Sequence, residues 1–201
     1  MIDFTHKIIL ITGAAGGTGQ ELAVELARRG ASIAAVDINP IGLEETVRRI
    51  RAEGGAVKDY VVDTAKRLPI VALVDEVLDD WGRIDILVCA AVVRPTDPIL
   101  SMDEWEFHRT LDVNLAGPFF LMQRVGQFMK AHGGGTIVVA HRGRSADLPP
   151  SQPAHPPQAN EDAGGAAYFA SQAALDALIL IARQEFEVHH IQVFALEDFR
   201  L

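Results

Sequence analysis

Eight residues near the start of the chain, Thr12-Gly13-Ala14-Ala15-Gly16-Gly17-Thr18-Gly19, follow a short apolar run and precede a helical one. A strand that ends in a glycine-rich turn and feeds a helix brings unpaired backbone N–H groups and the positive end of a helix dipole to one point, which makes an anion site. Glycines suit the turn because it calls for unusual φ values and because a Cβ would hold phosphates away. The glycines here, Gly13, Gly17 and Gly19, are not spaced as G-x-G-x-x-G, so the context has to support the reading. Asp37 supplies that context. It closes the next strand-like run, where a carboxylate can accept hydrogen bonds from both hydroxyls of an adenosine ribose and would repel a 2′-phosphate. Neither Gly16 nor Ile38-Asn39 offers a basic side chain for that phosphate. Loop and acid together predict a dinucleotide, NAD(H) over NADP(H); alone, Asp37 would read as the end of a strand.

These residues need a scaffold, and the chain alternates in a way that supplies one. Residues 7–12 form a continuous apolar, β-branched run, as in a strand buried on both faces. Further strands are predicted at 32–37, 57–62, 84–90, 136–140 and 191–196. Helices are predicted from the glycines to about residue 29, over 42–52 and 66–81, over 102–132 with a break near Gly117-Pro118, and over 166–187. Right-handed crossovers then build an α/β fold: a doubly wound parallel sheet of Rossmann type, about six strands with helices on both faces. Residues 1–201 are expected to form a single dinucleotide-binding domain. The stretch 143–165, with Pro149-Pro150, Pro153 and Pro156-Pro157, reads as a Pro/Gly-rich flexible insertion. Such a tract can alternatively be a ligand for a small recognition domain.

Composition narrows the partners. With 201 residues and a formal net charge of −9, the chain lacks the basic excess that nucleic acid or an anionic membrane surface would select. The lone cysteine, Cys89, cannot form an internal disulfide, no apolar stretch approaches the roughly 20 residues of a membrane helix, and no signal-type segment is evident, so a cytoplasmic protein is expected. The histidines are scattered, and the His189-His190 pair lacks a third ligand nearby, so no metal is expected.

Taken in order, several motifs resemble the short-chain dehydrogenase/reductase family over almost the whole chain. Thr12 to Gly19 fits its T-G-x-x-x-G-x-G cofactor loop, including Gly13, Gly17, Thr18 and Gly19. The resemblance implies that Asp63 and Thr64 contact adenine, that Asn114 in Asp112-Val113-Asn114-Leu115 is the structural and proton-relay asparagine, and that Tyr168 in Tyr-Phe-Ala-Ser-Gln is the catalytic tyrosine. Cys89 and Ala90 occupy cofactor-binding positions of the strand-four signature, and Gln172 occupies the position that touches the nicotinamide ribose. The implied reaction is hydride exchange between nicotinamide and an alcohol or carbonyl substrate, with Tyr168 as general acid/base. The helices around 119–125 and 170–181 resemble those through which members form homodimers or homotetramers.

The sequence also departs from the pattern. Family members carry a lysine where this chain has Gln172, a serine after strand five where it has Val139-Ala140-His141-Arg142-Gly143, and Asn-Asn-Ala-Gly where it has Cys89-Ala90-Ala91-Val92. Glutamine cannot stabilise a tyrosinate by charge. Ser145 would reach the site only if its loop bent back; Arg142 or His141, at the carboxyl end of strand five, could compensate, with Arg142 supplying the missing charge, or both could simply be solvated at the mouth of the loop. The seventh strand and the substrate-covering segment of the family have no counterpart before Leu201, and strand six would be left as an open edge. Two readings follow: an NAD-dependent oxidoreductase with impaired catalysis, or a catalytically silent NAD-binding homologue with a structural, sensing or partner-binding role. They divide at Gln172.

Overall fold

The computed structural model describes residues 4–140 and 165–199. All but the last residue of the proline-rich segment, together with His141, Arg142 and Ser145, lies outside the described residues. Six strands form one parallel sheet: β1 (Ile8–Thr12), β2 (Ser32–Asp37), β3 (Val57–Val61), β4 (Ile86–Cys89), β5 (Gly135–Val139) and β6 (Ile191–Ala195). Their order is β3-β2-β1-β4-β5-β6. The chain therefore winds outward from β1 in one direction, returns, and winds outward in the other, which leaves a switch point between β1 and β4.

Alternation along the strands explains the uninterrupted apolar runs. In β1, Leu10 faces a cluster built by α3 (Arg67–Trp81), α5 (Gly117–Ala131) and α6 (Ala166–Glu187), including Leu73, Val125 and Leu175. Ile9 and Ile11 face the opposite cluster, with Leu22 and Leu26 of α1 (Gly17–Arg28) and Leu43 and Ile50 of α2 (Pro40–Ala52). Every β1 residue is buried because both faces are covered. β6 is the outer strand on its side among the described residues, as expected for an edge.

Two expectations are corrected. No break occurs at Gly117-Pro118. After α4 (Glu104–Leu111) the chain makes a π turn over Asp112–Ala116, in which the Gly117 N–H donates to the Asp112 carbonyl, and α5 runs on from Gly117. Proline at the second position of α5 is tolerated, since the first-turn N–H groups of a helix lack the usual partner, and the irregularity falls one turn earlier. Secondly, α6, at 22 residues, is long and apolar enough by length and composition to cross a membrane, the one such helix among the described residues. Its stripe of Tyr168, Ser171, Gln172, Leu175, Ile179 and Ala182 is buried within this protein.

Candidate active site

A cavity of about 810 Å³ opens along the carboxyl ends of the strands. Gly13 enters it after β1, Asp37 from the end of β2, Asp63 beyond β3, Ala90 after β4, Ala140 after β5 and Leu196 after β6. It lies over the switch point, the crevice in which open parallel sheets bind ligands.

The glycines divide their work. Gly13 has φ +72°, and a Cβ there would lie 2.6 Å from the backbone of Ala90 and Ala91, so the ends of β1 and β4 can meet only over a bare Cα. A Cβ on Gly19 would lie 2.2 Å from the Gly13 carbonyl oxygen, which fixes α1 tightly against the loop. Gly17, at φ +52°, faces open space: a Cβ built there meets nothing within 4 Å. No side chain caps the N-terminus of α1. The result is a bare backbone cradle with N–H groups at a helix start, which fits a pyrophosphate.

Asp37 is fixed against this loop. One carboxylate oxygen accepts from the Ala15 N–H at 3.1 Å and the other from the Asn39 N–H at 3.0 Å. The Asn39 side chain turns instead to cap α2, accepting from the Ile41 and Gly42 N–H groups. Asp63 is also engaged: Nη1 of Arg109, on α4, donates to both its oxygens at 3.0 Å. This ion pair stands on the cavity wall and joins the end of β3 to α4.

The end of β4 is braced despite its lack of asparagines. The Thr12 hydroxyl accepts from the Ala90 and Ala91 N–H groups at 3.2 and 3.4 Å. Two residues on, the Asn114 amide accepts from the Val93 N–H and donates to the Val93 carbonyl, both at 2.9 Å. The same amide donates to the Ser171 hydroxyl at 3.1 Å, and that hydroxyl donates to the Tyr168 carbonyl at 2.6 Å. Asn114 thus ties the π turn, the strand-four loop and α6 together beneath Tyr168.

Of the residues nominated from sequence, Gly13, Gly17, Thr18, Asp37, Asp63, Thr64, Ala90, Tyr168 and Gln172 line the cavity. Gly19, Cys89 and Asn114 do not. Gly19 packs under the loop, and Asn114 is committed to the Val93 backbone and the Ser171 hydroxyl. Cys89 follows the strand alternation into the α3/α5/α6 cluster, whereas Ala90 falls on the other side. Burial pushes the Cys89 thiol up to about 12, so it stays protonated at neutral pH and is no nucleophile. Sequence reasoning missed Arg94 and Arg109, both lining residues. Arg94 follows the carboxyl end of a central strand, the edge where ligands bind, and that position was the available signal. Tyr168 is buried and Gln172 lies one helical turn along α6.

The fold is that of a Rossmann-type, doubly wound parallel sheet, with the cavity over its switch point. The family model described as short chain dehydrogenase matches residues 7–146, and the chain belongs to this family. The match stops short of Tyr168. D-threitol dehydrogenase of Mycolicibacterium smegmatis is 41% identical over 134 residues, covering 66% of this chain and 51% of that protein. The chain spans about half the length of the curated relatives it matches. Among solved structures, NAD⁺-bound xylitol dehydrogenase superposes with a TM-score of 0.83 at 29% identity, covering 96% of this chain and 70% of that one. A metagenomic short-chain oxidoreductase in complex with NADP gives 0.84 at 26% identity, covering 96% and 82%. Structural similarity extends across α6, where the family model does not.

Proposed function

We propose that the chain is an NAD-dependent oxidoreductase of the short-chain dehydrogenase type, acting on an alcohol or carbonyl substrate with impaired catalysis. The observation that carries this reading is the Asp37 carboxylate, braced at the end of β2 in the same cavity as the bare Gly17 cradle and Tyr168. Asp37 would hold the adenosine ribose hydroxyls and disfavour a 2′-phosphate, while Gly13, Gly17 and Thr18 would hold the pyrophosphate. Asp63 and Thr64 would border the adenine, Ala90 would lie along the nucleotide, and Gln172 would hydrogen-bond the nicotinamide ribose. When bound, the nicotinamide takes up or gives the hydride. In the oxidising direction Tyr168 takes the substrate hydroxyl proton as the hydride leaves its carbon, and a carbonyl remains. Two similar proteins are named for threitol and xylitol, both polyols, which supports an alcohol as substrate.

Calorimetric titration with each cofactor tests the first half: NAD⁺ should bind at least tenfold more tightly than NADP⁺, about 1.4 kcal/mol. Equal or tighter NADP⁺ binding would sink the assignment. A screen of alcohols and ketones tests the second half. The neutral Gln172 favours the other reading, a silent cofactor-binding homologue. An inert parent that gains alcohol oxidation in Gln172→Lys would establish that reading, and robust parental turnover would remove it.

The same proposal includes a homodimer or homotetramer through α5 and α6. Phe119, Leu180 and Ile181 are exposed on these helices, a costly arrangement unless covered. Light scattering at micromolar concentration should return a multiple of the 21.8 kDa chain mass; a monomer would contradict it.

A further inference from the structure

At the β3 end of the cavity one carboxylate is held from two directions. Nη1 of Arg109 donates to both oxygens of Asp63 at 3.0 Å, and the Ala65 N–H donates to Oδ1 at 3.1 Å. The Arg109 and Asp63 side chains are 22% and 24% exposed, so the pair is largely shielded from water. The loop that carries Asp63 is gripped again one residue on. A Cβ on Gly117, at the start of α5, would lie 2.5 Å from the Thr64 carbonyl oxygen, so only a bare Cα lets that helix close on the loop.

The order of the strands says which part of a ligand meets this carboxylate. β1, β2 and β3 lie side by side, and beyond their ends stand the bare Gly17 cradle, Asp37 and Asp63 in that order. A dinucleotide with its pyrophosphate at the cradle and its adenosine ribose on Asp37 therefore brings its purine to Asp63. A carboxylate accepts hydrogen bonds and donates none, and its two oxygens offer about four acceptor positions. Arg109 and Ala65 fill two on Oδ1 and one on Oδ2. The position left on Oδ2 suits an N–H donor such as the exocyclic amine of adenine, and a carbonyl oxygen in the same place would be repelled.

We infer that Arg109 is a positioning residue for base selection: by fixing Asp63 it makes that carboxylate a reader of the 6-amino group of the purine. The inference rests on the reading of the cavity as an NAD site, and it adds the residue that makes the adenine end selective. Arg109 works through Asp63. Without the guanidinium the carboxylate is free to turn into water, and binding would have to order it again.

NAD⁺ and nicotinamide hypoxanthine dinucleotide differ at this group, because the second carries a carbonyl oxygen where adenine has the amine. Calorimetric titration of the full chain should show NAD⁺ binding at least about tenfold more tightly, the lower end for a hydrogen bond to a charged group. In Arg109→Met the preference should fall to about threefold or less, and in Asp63→Ala it should disappear. The double variant should lose no more of the preference than Asp63→Ala alone, since one residue acts through the other. A merely structural Arg109 would weaken both dinucleotides alike; an unmoved ratio in Arg109→Met therefore overturns the inference, as does a further fall in the double variant. Should a thermal melt show that Arg109→Met does not fold, Arg109→Gln, shorter and uncharged but still polar, carries the same comparison. A parent that binds both dinucleotides equally overturns this inference and leaves the NAD reading standing. A parent that binds neither overturns both.

Discussion

Gly19→Ala is expected to destabilise the protein severely, whereas Gly17→Ala should leave the fold standing and weaken the cofactor. The Gly19 Cβ would sit 2.2 Å from a backbone oxygen, and backbone cannot swing aside as a flexible side chain does. Separating α1 from the loop loosens the packing of Leu22 and Leu26 on the sheet. A loss of about 3 kcal/mol is expected, the upper part of the range for overpacking, which lowers the melting temperature of a chain this size by about 10 °C. At Gly17 a Cβ has room, and the direct cost is that of a left-handed φ, about 1 kcal/mol. The added methyl group occupies the cradle, so NAD⁺ affinity should fall at least tenfold, about 1.4 kcal/mol. Thermal melts and calorimetry on the two variants separate the effects. A Gly19→Ala protein as stable as the parent would show that the loop shifts freely, and unchanged affinity in Gly17→Ala would remove the loop from the cofactor site.

Tyr168→Phe should abolish most turnover while sparing both fold and cofactor binding. The ring keeps its edge contact with Phe169 at 5.4 Å and its face toward Arg94, so the change removes a hydroxyl and little else. Positioned proton transfer contributes about 10²–10⁴-fold to such reactions, and kcat should fall by that factor with NAD⁺ affinity unchanged. Steady-state kinetics beside a cofactor titration would distinguish this from a packing defect, which would lower both. Undiminished kcat would dismiss Tyr168 as the acid/base.

The strands were legible because a sheet covered on both sides imposes continuous apolar runs, and glycines or turn residues punctuate them. The bounds of β2 and α6 are those expected, and the other strands fall within two residues of expectation. The glycine-rich turn at the cavity was legible for a related reason: its glycines lie close together in sequence. What escaped depends on contacts between distant segments. Arg109 and Asp63 are 46 residues apart, and neither carries a mark of the other. Arg94 lies in an irregular stretch where periodicity is silent, and the π turn adds its residue inside an otherwise helical pattern. The bracing at the end of β4 is invisible in its own sequence because it comes from another strand, through the hydroxyl of Thr12.

The cavity's place over the β1–β4 switch point bears on how the chain holds together. Ile9 pairs with Ile33 on one side and with Ile86 on the other, so the second pairing closes a loop about three times longer. By chain statistics it costs about 1 kcal/mol more to close. The sheet is in effect two halves of parallel strands joined by helical crossovers, β1 to β3 and β4 to β6, and the join between them is the one least supported by locality. Gly13 and Ala90 meet across that join, and both border the cavity. A dinucleotide lying there would bridge the two halves like a staple across a seam, lending its binding energy to the contact that needs it most.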